Sequence, residues 1–144
     1  MASSMINILI LCTGNSCRSQ IAHGYLNHYL LGRANIYSAG IETHGVNKRA
    51  IKIMKEDGID ISSHTSNHVD EYKEVLFDYI ITVCDHANER CPVFPNKAVK
   101  YHFNFPDPAK AIGNEDEIMS QFREVRNQIK IYCENLSNQG FRTP

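Results

Sequence analysis

The stretch Ile6-Asn-Ile-Leu-Ile-Leu-Cys12-Thr-Gly-Asn-Ser-Cys17-Arg18-Ser19 joins an apolar run to a short polar turn. The β-branched and leucine-rich run predicts a buried strand, and the turn after it is typical of one that opens a helix. Backbone N–H groups converge in such a turn, and the helix adds the positive end of its dipole. The stretch therefore predicts a loop that cradles a tetrahedral oxyanion.

Cys12 and Arg18 stand at the two ends of this turn, with the spacing Cys-x5-Arg. A nearby cation and a helix N-terminus favour thiolate over thiol, so Cys12 is predicted to be a nucleophile. The planar Arg18 guanidinium can hold two oxygens of one anion. The alternative is a buried structural cysteine beside a surface arginine. The residues predicted to bind the anion are Thr13, Gly14, Asn15, Ser16, Cys17 and Arg18.

The length and charge of the chain restrict its domain number and its possible partners. The chain has 144 residues, with 15 Lys and Arg against 16 Asp and Glu. We expect one domain over residues 5–138, monomeric, with flexible ends at 1–4 and 139–144. The balanced charge gives no reason to expect nucleic acid or a membrane as partner. The five cysteines need no disulfide framework and the start of the chain resembles no signal peptide, so a cytoplasmic location is expected.

Strand and helix patterns alternate along the chain. Strands are predicted at 6–12, 35–38, 79–83 and 99–103, and helices at 19–31, 47–57, near 70–76 and from 114 onward. The predicted fold class is α/β, a single-domain open parallel sheet of about four strands with helices on both faces. Ligands bind at the carboxyl ends of such strands. Since Cys12 and Cys84 each follow a strand, both should lie on one edge.

The segment Cys84-Asp-His-Ala-Asn-Glu-Arg-Cys91 carries a second pair of cysteines. In a helix, positions seven apart are separated by about 10.5 Å along the axis, whereas a disulfide needs Cα atoms within about 7 Å. A Cys84–Cys91 bridge would therefore unwind the segment and could display a redox event to a partner enzyme. The alternative is a metal site that includes His86. The spacing fits no common zinc motif, so no metal is expected.

The stretch Phe105-Pro-Asp107-Pro-Ala109 sets one carboxyl group between two prolines. The prolines stiffen the loop, and its place after the fourth predicted strand puts Asp107 on the same edge as Cys12. A protonated Asp107 could then give its proton to a departing oxygen. The alternative is an ordinary Asp-Pro turn. Cys133, beside the inward stripe of the last predicted helix, is predicted to be a packed core thiol.

Four motifs together resemble one family, the thioredoxin-coupled arsenate reductases, which are built on the low-molecular-weight tyrosine phosphatase fold. They are Cys12-Thr-Gly-Asn-Ser-Cys-Arg-Ser-Gln20, Tyr37-Ser-Ala-Gly-Ile-Glu-Thr-His-Gly-Val-Asn47, Cys84-x6-Cys91 and Asp107-Pro-Ala109. The resemblance runs from about residue 6 to residue 133. The phosphatase branch typically has proline in place of Gln20 and aromatic residues after its Asp-Pro, and it lacks the cysteine pair.

The resemblance implies an enzyme that reduces arsenate to arsenite, with phosphate and sulfate as competing oxyanions. It implies that Cys12 attacks arsenate, that Ser19 helps stabilise the thiolate and that Asp107 protonates the leaving oxygen. Cys84 would then attack Cys12, Cys91 would take over Cys84, and thioredoxin would reduce the resulting disulfide. Thiol–disulfide exchange of this kind needs no organic cofactor and no metal.

Some members of the resembled family bind potassium beside the anion loop through Asn, Ser and two acidic side chains. The matching positions in this sequence are Asn15, Ser38, His23 and Asn67. Neither acid is present, and hard cations prefer negatively charged oxygen ligands. We therefore expect no tight cation site here.

Two other functions stay open from the sequence. A phosphatase acting on phosphotyrosine or other monoesters would use Cys12, Arg18 and Asp107 in the same roles and leave the cysteine pair idle. A non-enzymatic oxyanion or redox sensor would use the Cys84–Cys91 pair to signal to a partner. Assaying arsenate with thioredoxin, its reductase and NADPH separates these functions.

Overall fold

A computed structural model of the protein describes residues 5–141. One sheet is formed by β1 (Ile6–Cys12), β2 (Ala34–Gly40), β3 (Tyr79–Thr82) and β4 (Val99–His102). The strand order is β2-β1-β3-β4, and each neighbouring pair is parallel. The predicted open parallel sheet of four strands is confirmed. β2 is longer than predicted, because it pairs with all seven residues of β1.

Four α-helices connect and cover the strands: α1 (Arg18–Tyr29), α2 (Lys48–Glu56), α3 (Asp85–Glu89) and α4 (Glu115–Asn135). Asn47 and Asn114 cap α2 and α4 by accepting backbone N–H groups, as helix N-caps do. The short helix expected near 70–76 is a single 3₁₀ turn, Val69–Tyr72. Val69 is its one buried residue, so the turn has no apolar face along which to extend.

Successive residues are buried along β1 and β3, the two central strands. Because neighbouring side chains of a strand point to opposite faces, both faces of the sheet are covered, as the predicted fold class requires. Helices α1, α2 and α4 contact one another. The inward side of α4 includes Phe122, Val125 and Cys133, so the prediction of Cys133 as a packed core thiol is confirmed.

Packing continues beyond residue 138, where the sequence suggests that a flexible end begins. The Tyr101 hydroxyl donates to the carbonyl of Gly140 at 2.7 Å. Phe141 is buried, with its ring edge-on to Tyr79 at 4.9 Å between centroids. The remaining expected flexible residues, 1–4 and 142–144, lie outside the described residues. Among the helices of the described chain, none combines the length and the apolar character that crossing a membrane requires.

The strand register brings the two predicted redox segments to one edge. Cys12 ends β1 opposite Gly40 of β2. On the other side of β1, the Val83 N–H donates to the Leu11 carbonyl at 3.1 Å, which places Cys84 just past the same end of the sheet. The prediction that Cys12 and Cys84 share an edge is therefore confirmed.

Candidate active site

The backbone carbonyl groups of the loop after β1 point outward and accept hydrogen bonds from the residues around the loop. Because a trans peptide holds its N–H and C=O on opposite sides, the corresponding N–H groups face the interior of the loop. This is the converging set of donors that the sequence predicts. Five carbonyls of the loop accept hydrogen bonds: Cys12 from Ile41 N (3.2 Å), Thr13 from Glu42 N (2.8 Å), Gly14 from His44 N (3.0 Å) and Ser66 Oγ (2.8 Å), Asn15 from Gln20 Nε2 (3.0 Å) and Ser16 from Asn47 N (2.9 Å).

Asn15 fixes the shape of this loop. It is fully buried and has a φ of 48°, in the left-handed region that non-glycine residues rarely adopt. Its side-chain Nδ2 donates to Ser19 Oγ at 2.8 Å, and its Oδ1 accepts from the Asn67 N–H at 2.8 Å. A Cβ added to Gly14 would clash with the His44 ring, so a larger residue there would displace that ring from the loop.

Arg18 joins the loop to the stretch that carries Asp107. The Arg18 Nη1 donates to the Phe105 carbonyl at 2.9 Å, and its Nη2 lies 3.7 Å from Asp107 Oδ2. Asp107 Oδ1 in turn accepts from the Ala109 N–H at 3.0 Å. These contacts bring the carboxyl group to the loop across a large separation in sequence.

A pocket of about 250 Å³ opens over the loop. It contains Cys12, Arg18 and Asp107 at one place, the arrangement that a nucleophile, an anion clamp and a proton donor would need. Asn15 and Ser19 stand behind the loop and support it. The lining residues are Cys12, Thr13, Gly14, Ser16, Cys17, Arg18, His44, Asp107, Ala109 and Lys110.

Sequence reasoning did not assign three of these lining residues to the site: His44, Ala109 and Lys110. His44 belongs to the quoted stretch 37–47, but nothing in its local pattern shows that this stretch wraps around the anion loop. Lys110 follows the Asp107 turn and adds a basic group at the pocket. Cys17 also lines the pocket, and burial, with the nearby Asp107 adding to it, raises the pKa of Cys17 to about 12. Cys17 is therefore a thiol at neutral pH.

Cys84 meets Cys12 at the back of the site. Its Sγ lies 3.3 Å from the Thr13 hydroxyl and 3.4 Å from the Ala87 N–H. A hydrogen bond from the Cys12 thiol, supported by Thr13 and Ala87, lowers the pKa of Cys84 to about 5 although burial opposes the shift. The same hydrogen bond, together with burial, raises the pKa of Cys12 although Arg18 opposes the change.

The sequence predicts a thiolate at Cys12. Here Cys12 and Cys84 share a hydrogen bond and titrate as a pair, in which Cys84 has the lower pKa. The reason is that Cys84 receives donors from both the anion loop and the first turn of α3. Cys12 can become the thiolate by passing its proton to Cys84 along the shared hydrogen bond.

Cys91 stands apart from the pocket, beyond the end of α3. It is half-buried, its Sγ lies 3.7 Å from the Pro92 carbonyl, and burial raises its pKa. The five helical residues of α3 separate it from Cys84. The 84–91 segment is therefore partly helical.

The four positions that match a potassium site in the resembled family do not suit a hard cation here. His23 Nδ1 lies 2.7 Å from Ser38 Oγ. Burial, with the neighbouring His64, lowers the pKa of His23 to about 3, so its ring is neutral. Hard cations favour negatively charged oxygen ligands, which this set lacks. Within the described part of the chain, His, Cys, Asp and Glu side chains form no group of three that could hold a metal ion.

The model of one protein family matches residues 7–140, nearly the whole chain. The chain belongs to the low molecular weight phosphotyrosine protein phosphatase family. The family membership that the motifs suggest is therefore confirmed, and with it the prediction that the protein is an enzyme.

Several relatives within the phosphatase family are arsenate reductases. The chain is 49% identical over 122 residues to the arsenate reductase of Halalkalibacterium halodurans, covering 85% of this chain and 88% of the relative. It is 47% identical over 131 residues to arsenate reductase 1 of Staphylococcus epidermidis, covering 91% and 95%. A solved arsenate reductase in a phosphate-binding state is 30% identical with a TM-score of 0.76, covering 94% and 98%.

Proposed function

We propose that this protein reduces arsenate to arsenite by a relay of three cysteines, Cys12, Cys84 and Cys91, with electrons from thioredoxin. One observation carries the proposal: a second thiol, Cys84, stands directly behind the nucleophile position and is held there by Thr13 and Ala87. A phosphatase needs only the nucleophile, the arginine and the acid. The names of the relatives at 46–49% identity support the same activity.

In the first step, arsenate binds to the inward N–H groups of the loop and to Arg18. The Cys12 thiol passes its proton to Cys84, and the Cys12 sulfur attacks arsenic. Asp107, entering in its protonated form, gives its proton to the departing oxygen, which leaves as water. The product is a covalent Cys12–arsenic(V) adduct.

In the second step, Cys84 loses its proton to solvent and attacks the Cys12 sulfur. The electron pair of the sulfur–arsenic bond stays on arsenic, which becomes arsenic(III) and leaves as arsenite. A Cys12–Cys84 disulfide remains. Cys91 then gives its proton to solvent, and its sulfur attacks Cys84. The Cys84–Cys91 disulfide forms, and Cys12 leaves as a thiolate. Thioredoxin then reduces the Cys84–Cys91 disulfide, and so supplies the two electrons that arsenic received.

Access for the reductant is supported by the surroundings of Cys91. Cys91 is half-buried, and Val93, two residues further on, is 96% exposed. Unwinding of the short helix α3 would bring the disulfide further to the surface. A thioredoxin dithiol could then attack one of its sulfurs without entering the anion pocket.

A coupled assay tests the proposal. The protein is incubated with arsenate, thioredoxin, thioredoxin reductase and NADPH, and NADPH oxidation is followed. We expect oxidation that depends on both arsenate and thioredoxin and that phosphate or sulfate inhibits. Absence of oxidation with active thioredoxin components, for a protein that binds phosphate, would overturn the proposal.

A monoester phosphatase is the second candidate, favoured by the meeting of Cys12, Arg18 and Asp107 at one pocket. Hydrolysis of an aryl phosphate without thioredoxin measures it directly. The two assays together also test for a non-enzymatic sensor. Such a protein would bind the oxyanion and change its redox state but would turn over neither arsenate nor the aryl phosphate.

A further inference from the structure

Helix α3 is tied to β4 by a chain of side-chain hydrogen bonds. His102, the last residue of β4, has its Nε2 2.7 Å from Asp85 Oδ1. Its Nδ1 lies 2.7 Å from Thr82 Oγ1. The Asp85 N–H also donates to Asn104 Oδ1 at 3.0 Å. The first residue of α3 is therefore held through both its side chain and its backbone.

The anchor of this chain is Thr82, which is 3% exposed and lies in the central strand β3. Its hydroxyl holds the His102 ring in place before Asp85 binds. The side-chain entropy lost when the pair forms is therefore mainly that of the more exposed Asp85. A Thr–His–Asp chain could suggest nucleophilic chemistry, but a buried Thr82 hydroxyl has no access to a substrate. The chain is therefore a tether, and what it holds is the start of α3.

Asp85 follows Cys84 directly, so the tether also fixes Cys84 in place. In that place Cys84 shares hydrogen bonds with Cys12 and with the Thr13 hydroxyl. We infer that a bond from Cys84 to Cys91 requires α3 to unwind, because the helical residues 85–89 lie between the two cysteines. A helix rises about 1.5 Å per residue, whereas a disulfide needs Cα atoms within about 7 Å. Unwinding α3 would carry Asp85 away from His102.

We propose that His102 and Asp85 are positioning residues of the cysteine relay. Their contact holds α3 where Cys84 meets Cys12, and it breaks when Cys84 exchanges its partner from Cys12 to Cys91. This inference rests on the proposed function, since it requires the Cys84–Cys91 disulfide. In that exchange one sulfur–sulfur bond forms as another breaks, so no outside oxidant is needed.

The tether stabilises the reduced, helical form of residues 84–91 relative to the form with the Cys84–Cys91 disulfide. Exposed side-chain pairs of this kind change an equilibrium constant by about two- to fivefold. Loss of the tether should therefore favour the Cys84–Cys91 disulfide by about that factor. A role limited to general stability would leave this equilibrium unchanged.

The test measures the Cys84–Cys91 disulfide at fixed pH in a series of glutathione redox buffers, by alkylation of free thiols and peptide mass spectrometry. All proteins carry Cys12→Ser, which prevents a competing Cys12–Cys84 bond. His102→Ala should raise the equilibrium constant for disulfide formation about two- to fivefold. His102→Gln, whose amide nitrogen can still donate to Asp85, should give a smaller rise.

Two further variants guard against misfolding and local helix effects. Asp85→Ala changes an exposed residue and should reproduce the His102→Ala shift even if the latter folds poorly. Glu89→Ala changes an exposed residue at the other end of α3 and should leave the equilibrium unchanged.

Equal disulfide equilibria in the His102→Ala and Asp85→Ala variants and their parent would overturn the positioning role and leave the relay standing. If the Cys12→Ser parent forms no Cys84–Cys91 disulfide in any buffer, the relay fails and the positioning role fails with it. If Glu89→Ala changed the disulfide equilibrium by the same factor, the effect would come from the stability of the helix, and the proposal would also be rejected.

Discussion

The hydroxyl of Thr13 lies 3.3 Å from the sulfur of Cys84. Thr13 belongs to the anion loop after β1, and Cys84 caps the helix after β3. Their contact therefore joins the site that would bind the oxyanion to the segment that would carry its electrons away. It also gives Cys84 one of the donors that stabilise a negative charge on sulfur.

The ionisation of Cys84 should differ from that of an ordinary cysteine. Its pKa is lowered to about 5, because the Cys12 thiol, Thr13 and Ala87 all donate to its sulfur. Below that pH the thiolate becomes protonated, so reactivity is lost as pH falls. We expect the alkylation rate of Cys84, followed by peptide mass spectrometry, to be nearly constant at neutral pH and to fall as the pH drops through about 5.

A Cys12→Ala variant is the control for this titration. It removes the largest of the three donors, so the fall in Cys84 reactivity should move to higher pH. A fall near the ordinary cysteine value, about 8.5, in both proteins would contradict the assigned charge on Cys84.

The roles of the cysteines should separate in two single variants. Cys12→Ser should abolish arsenate reduction and any monoester hydrolysis, because both need the nucleophile. Cys91→Ser should stop thioredoxin-coupled turnover and leave aryl phosphate hydrolysis largely intact, because Cys91 lies outside the pocket. Steady-state assays of both reactions check this. Normal thioredoxin-coupled turnover by the Cys91→Ser protein would contradict the proposed relay.

Oxidation should change the protein locally. Formation of the Cys84–Cys91 disulfide should unwind α3 and raise the exchange of amide hydrogens in residues 84–91. The sheet and α4 should keep their protection, because neither takes part in the bridge. Hydrogen exchange on reduced and oxidised samples measures this. Equal protection of residues 84–91 in both states, with the disulfide confirmed, would mean that the segment does not switch.

Asn15 should be important for both stability and anion binding. Asn15→Ala removes the hydrogen bonds to Ser19 and Asn67 and places alanine at a φ of 48°. We expect a loss of about 1–3 kcal/mol in the free energy of unfolding and weaker phosphate binding. Denaturant titration and calorimetry measure the two effects.

Asn15→Gly is the matched variant, since glycine accepts the left-handed conformation without strain. It should lose the hydrogen bonds alone and be destabilised less than the alanine variant. An alanine variant with unchanged stability and unchanged phosphate affinity would show that the loop keeps its shape without Asn15.

Sequence patterns predict correctly those parts of the protein that depend on neighbouring residues. The apolar run 6–12 predicts β1, and the polar turn after it predicts the anion loop and the start of α1, because strand periodicity and turn chemistry act over short distances. The prolines around Asp107 likewise predict a rigid loop. The alternation of strands and helices was enough to predict a parallel sheet and a shared edge for Cys12 and Cys84.

The tertiary structure was needed to show that Cys12 and Cys84 titrate as a pair, since the hydrogen-bond partners of Cys84 include Thr13, 71 residues away, as well as its own helix. It also decided that the stretch 41–47 holds the anion loop and that Phe141 packs on the sheet. The tether from His102 to Asp85 likewise joins a strand end to a helix start. Each of these is a contact between segments that no periodicity or local spacing connects, so folding alone brings them together.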